Sequence, residues 1–87
     1  MIKIGIIDDE LLARKVLEEY SSKIDNFELV LSTGNPIEFF NFIQQNELDL
    51  IFLDIEMPEL NGIEILRSMI HPPKVILTTA YLSLIHI

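Results

Sequence analysis

Two groups of acidic residues stand out by type and position. Asp8-Asp9-Glu10 closes the first apolar run of the chain, Ile2 to Ile7, and Asp54 closes another, Leu48 to Leu53. Open α/β sheets place their ligands at the carboxyl ends of their strands, which is where both groups would lie if these runs are strands. Side by side, the two ends would gather several carboxylates with no lysine or arginine between them in the local sequence. Such a cluster repels itself unless a positive charge sits in it, and a hard divalent cation suits an all-oxygen donor set. Plainer readings exist for each group alone. Acids at a helix N-terminus are favoured by the macrodipole by roughly 0.3–1 kcal/mol, and a strand-terminal Asp can cap the turn that follows it.

Alternating strand and helix signals would position these residues. Ile2 to Ile7 is β-branched and nearly all apolar, as expected of a strand buried on both faces. From Leu11 to Ile24 the positions Leu12, Val16, Tyr20 and Ile24 recur every fourth residue. Ala13 and Leu17 widen that stripe and Arg14, Lys15, Glu18 and Glu19 lie off it, so an amphipathic helix is expected with the stripe facing inward. Phe27 to Leu31 predicts a second strand. Asn35 suits a helix N-cap, Pro36 its first turn and Glu38 its positive end, with Ile37, Phe40 and Ile43 on one face and an end near Gln45-Asn46. Leu48 to Leu53 predicts the third strand. A helix carrying Ile63, Leu66, Met69 and Ile70 should stop at His71-Pro72-Pro73, and Val75 to Thr79 predicts a fourth strand. The order βαβαβαβ calls for an α/β fold, a doubly wound parallel sheet with right-handed crossovers and helices on both faces.

The bulk properties narrow the function. A chain of 87 residues with 49% hydrophobic content allows one small domain with a real core. Its net charge of -8 disfavours contact of this segment with nucleic acid or an anionic membrane. The absence of cysteine excludes a disulfide framework and a thiolate metal site. Lys3 and Asp8-Asp9 interrupt the opening apolar stretch too early for a secretion signal, and no apolar run approaches the roughly 20 residues that span a bilayer. A soluble cytoplasmic protein is the expectation. His71, before two prolines, and His86 lack ligand partners at helical spacing; Phe39, Phe40 and Phe42 fit a core and helix face better than a stacking platform.

Taken together, Ile7-Asp8-Asp9-Glu10, Phe52-Leu53-Asp54-Ile55-Glu56-Met57-Pro58 with Gly62, and Leu77-Thr78-Thr79-Ala80 resemble the receiver domain of two-component response regulators. The wording around Asp54, with Thr79-Ala80-Tyr81, is most similar to LytTR-type regulators. The resemblance covers residues 1–81 and implies a receiver-like sheet of order 2-1-3-4. It implies that Asp54 is the phosphoacceptor for a sensor histidine kinase, and that Mg²⁺ neutralises charge as the carboxylate meets the phosphoryl group. Asp9 and Asp54 would bind Mg²⁺ by side chain, Glu56 by its backbone carbonyl, and Asp8 through a water, with Glu10 orienting that shell. Thr79 would be the switch hydroxyl, and Ala80 would leave room for the phosphoryl group. Pro58 and Gly62 would shape the loop backbone. The module would assist its own phosphotransfer rather than turn over as an enzyme, and would relay the signal to an output domain, DNA-binding in the LytTR type.

The family pattern continues with a further helix, a fifth strand bearing a lysine, and a last helix, none of which these residues contain. Lys74 cannot replace that lysine, because it starts the fourth strand at the end away from Thr79. The expectation is therefore a C-terminally truncated receiver, prone to self-association through a bare sheet edge and weakened in phosphotransfer. Residues 82–87 read as a tail of doubtful origin, similar to a translated adapter. Other readings are a phosphorylation-independent interaction module or an inactive fragment. A phosphohydrolase is disfavoured, since Asp54-Ile55-Glu56 lacks a second Asp two positions on.

Overall fold

The structure is a computed structural model and describes residues 1–54 and 72–78. The elements run β1 (Ile2–Ile7), α1 (Leu11–Ser22), β2 (Phe27–Thr33), α2 (Pro36–Gln45), β3 (Leu50–Asp54) and β4 (Lys74–Thr78). All strand pairs are parallel, and the sheet order is β2-β1-β3-β4. The expected doubly wound order 2-1-3-4 is therefore the observed one. The helix expected around Ile63 to Ile70, the tail 82–87, and Glu56, Pro58, Gly62, Thr79 and Ala80 lie outside the described residues.

Burial follows the apolar runs. Ile7, Leu31, Phe39, Leu48, Ile51 and Leu53 form one buried cluster, with Val30, Phe42, Ile43 and Val75 packed against it. Ile4 and Ile6 alternate to the other face of β1 and are just as inaccessible, so this central strand is covered on both sides. Burying side chains of this size contributes roughly 1.5–3 kcal/mol each. Gly5 permits one close approach: a Cβ there would meet Leu48 Cδ1 at 2.9 Å. Beside it the β1–β2 register skips Val30, a bulge that returns the two strand ends to step.

Boundaries moved by a residue or two. Strand β2 runs on through Ser32 and Thr33, β3 starts at Leu50 and includes Asp54, and β4 starts at Lys74. Asp49 explains the later start of β3. Its side chain accepts the Lys3 N–H at 2.8 Å, and its N–H donates to the Lys3 carbonyl at 2.9 Å. At α2, the Asn35 side chain accepts from the N–H groups of Ile37 and Glu38, Pro36 opens the helix, and Asn46 closes it, as expected.

Both helix faces differ from the reading of the periodicity. On α1, Leu12, Val16 and Tyr20 are exposed at 69%, 50% and 63%, and Ile24 beyond it at 45%. The inward residues are Ala13, Leu17 and buried Ser21, flanked by half-buried Arg14 and Glu18. Small Ala13 and Ser21 let the helix lie close to the sheet, while Arg14 and Glu18 reach the β1 and β2 ends with hydrogen bonds. On α2 the core residue is Phe39, with Phe42 and Ile43 beside it, whereas Ile37 and Phe40 face out. The apolar repeat thus set the helices correctly and rotated each by about one position.

Candidate functional site: three carboxylates at the sheet end

Register brings the acids together. Strands β1 and β3 are neighbours, and Ile7 pairs with Leu53, so Asp8 and Asp54 follow side by side at the carboxyl end. One carboxylate oxygen each from Asp8, Asp9 and Asp54 lies within 4.8 Å of the other two. Asp8 is buried at 5% exposure, Asp54 is half-buried and Asp9 is exposed. Glu10 is the N-cap of α1 and is exposed; it serves the site through its backbone N–H.

Asp8 is fixed at three atoms. Its N–H donates to the Thr33 carbonyl at 3.1 Å, continuing the ladder past the end of β1. Its carbonyl accepts from Arg14 Nη1 at 2.7 Å. Its carboxylate oxygen Oδ1 accepts the Glu10 N–H at 2.9 Å, an Asx-type turn that starts α1. Burial pushes the Asp8 carboxyl up from 3.8 to about 6, assisted by the charge of Asp54, a hydrogen bond with Asp54 and the charge of Asp9; the Glu10 N–H pulls the other way.

The β2 end buttresses this corner. Buried Thr33 donates from Oγ1 to Glu38 at 3.1 Å and accepts the Asn35 N–H at 3.0 Å, and Ser32 donates to Glu18 at 2.6 Å. Strand β4 completes the row, with Thr78 opposite Asp54 in register. Sequence reasoning missed Arg14, which it set only off the apolar stripe of α1. The available signal was a lone arginine one turn into the helix that follows an acidic strand end.

The donor set suits a hard cation. All three side chains supply oxygen, and two of them are at least half-buried; burial first, and the neighbouring carboxylates after it, raise the Asp8 titration. Crowded carboxylates at the end of a parallel sheet can bind such an ion and, through one of their number, attack an electrophile.

The sequence pattern described as the response regulator receiver domain matches residues 4–86. The chain belongs to this family. It is a receiver domain of a two-component response regulator. An uncharacterised response regulatory protein of Yersinia pestis is 39% identical over 84 residues, covering 93% of this chain and 35% of that protein. The transcriptional regulatory protein BtsR of Escherichia coli is 34% identical over 83 residues, with the same two coverages. The chain thus spans about a third of the length of the curated relatives it matches. The solved structure of the MaeR response regulator bound to beryllium trifluoride superposes with a TM-score of 0.80 at 28% identity, covering 92% of this chain and 68% of that one. Among the described residues, no helix is long and apolar enough to cross a membrane.

Proposed function

We propose that this receiver accepts a phosphoryl group on Asp54 from the phosphohistidine of a sensor histidine kinase, with Mg²⁺ as cofactor. The observation that carries the reading is the convergence of Asp8, Asp9 and Asp54 at one strand end. A carboxylate oxygen of Asp54 forms the new bond to phosphorus as the bond from phosphorus to the histidine nitrogen breaks, and the imidazole leaves with that electron pair. Asp9 and Asp54 would hold the metal by side chain and Asp8 through a water, with Glu56 contributing its backbone carbonyl as the family resemblance implies. Bound Mg²⁺ would offset the charge on the phosphoryl oxygens. The hydroxyl of Thr79 is assigned the switch role on the same resemblance. The likeness to a receiver that binds beryllium trifluoride, a phosphoryl mimic by charge and shape, supports this assignment.

We extend the reading to the parent protein as a LytTR-type regulator with a DNA-binding output, supported by the wording around Asp54 and by a relative that is a transcriptional regulator. This segment itself contributes acid, not base, and contacts no nucleic acid in this scheme. Ile76 of β4, 47% exposed on the last strand of the described sheet, offers an edge for self-association. Sedimentation checks that part.

The test of the central claim is incubation with acetyl phosphate and Mg²⁺ followed by intact-mass measurement. The wild-type chain should gain one phosphoryl group, and Asp54→Asn should gain none. A gain that persists in Asp54→Asn would overturn the assignment.

A further inference from the structure

We infer that Arg14 is a positioning residue for the cation site: its guanidinium clamps the Asp8–Asp9 backbone so that their carboxylates keep their placement against Asp54. The inference rests on the reading that these three acids hold a cation. Arg14 is a cationic side chain hydrogen-bonded to this corner, and that bond goes to the backbone. Its Nη1 donates to the backbone carbonyl of Asp8 at 2.7 Å. The bond leaves the Asp8 carboxylate itself to the Glu10 N–H, and the peptide that carries Asp8 is held from α1.

Gly34 provides the second, independent observation. It follows β2 and lies against both parts of the clamp. A Cβ at Gly34 would stand 2.6 Å from Arg14 Nη1, 3.1 Å from the Asp8 carbonyl oxygen and 3.3 Å from the Asp9 Cα. The space beside a side-chain-free residue is thus filled by the guanidinium and by the backbone of both metal-site acids. With the Thr33 carbonyl holding the Asp8 N–H and Glu10 holding its carboxylate, Arg14 completes a three-point fixation of one residue. An amide carbonyl at a strand end that is held on one side only is free to rotate. Such a rotation swings the following Asp9 carboxylate as a lever.

Groups that orient ligands without touching the metal typically change affinity by 10- to 100-fold when removed. Mg²⁺ titration by calorimetry of the whole chain tests the clamp, with folding checked by urea midpoint. Arg14→Ala should weaken Mg²⁺ binding about tenfold. Arg14→Lys, which keeps one donor and the charge, should recover most of the affinity. Gly34→Ala should weaken it while leaving Arg14 in the sequence. Ser32→Ala is the matched control: it removes the 2.6 Å bond from β2 to Glu18 of the same helix and touches none of the acids. It should lower the urea midpoint without moving Mg²⁺ affinity. Equal affinities for Arg14→Ala and Ser32→Ala would overturn the clamp while the cation site stands. Failure of the wild-type chain to bind Mg²⁺ at all would overturn the cation site and the clamp with it.

Discussion

The two ends of the sheet use aspartate in opposite ways. At the amino end Asp49 stands alone between strands. Its carboxylate accepts the Lys3 N–H, its N–H donates to the Lys3 carbonyl, and its own carbonyl accepts the Lys74 N–H at 3.1 Å. Its N–H, its carbonyl and one carboxylate oxygen each have a local partner, and the residue stitches three strand starts together. At the carboxyl end Asp8, Asp9 and Asp54 converge, one of them buried, and the nearby arginine binds a carbonyl instead. A satisfied carboxylate stabilises a fold, whereas a compressed cluster stores electrostatic free energy that a ligand can release.

The largest expected effect concerns Asp8. Its folded carboxyl titrates near 6, above the ordinary 3.8, so between about pH 4 and pH 6 the folded chain holds a proton that the unfolded chain has lost. The metal-free protein should therefore lose stability as pH rises through that window and level off above it. Mg²⁺ competes with the same proton, so its affinity should rise over that range, and saturating Mg²⁺ should offset the loss by mass action. Asp8→Asn should flatten the metal-free slope, raise the melting temperature at pH 7.5 by several degrees, and weaken Mg²⁺ binding. Thermal melts from pH 4 to pH 8, with and without Mg²⁺, check all three. An unchanged slope in Asp8→Asn would erase the contrast between the two ends.

Asp49→Ala should do the reverse. Losing the hydrogen bond from the Lys3 N–H should cost about 1 kcal/mol in urea denaturation. Mg²⁺ affinity and the slope between pH 4 and pH 6 should stay as in the wild type. A change in Mg²⁺ affinity would mean that the two ends are coupled through β1 and β3, and the comparison would have to be redrawn around those strands.

The site was more legible in the sequence than the helix faces were. Asp8 and Asp54 each end a mostly apolar run, and a parallel sheet with β1 beside β3 leaves such ends little freedom but to meet. The faces of α1 and α2 were misread because a stripe of large apolar residues was taken as the buried one. Besides Leu17, what α1 turns inward is small or polar, Ala13, Ser21, Arg14 and Glu18, suited to close approach and hydrogen bonding at strand ends. Hydrophobic periodicity carries no information about those two requirements. For the same reason periodicity did not reveal Arg14: its partner is a backbone carbonyl, which any residue type at position 8 would present.

The smallest effect lies in the row beside Asp54. Among the described residues, Thr78 Oγ1 is the buried side-chain polar atom left without a hydrogen-bond partner. Its register partner is Asp54, so the unsatisfied hydroxyl belongs to the same compressed end as the carboxylates, in contrast to the Asp49 end, where a carboxylate is hydrogen-bonded to the next strand. Thr78→Val keeps the shape and removes the unpaired group. Since a buried hydroxyl without a partner carries its desolvation cost uncompensated, this exchange should be neutral or stabilising by up to about 1 kcal/mol in urea. Mg²⁺ affinity should stay unchanged. A loss of more than about 1 kcal/mol would show that the hydroxyl is bonded in the folded chain. The carboxyl end would then be strained at its carboxylates alone, which would sharpen the contrast with Asp49 to a matter of charge rather than of polar satisfaction.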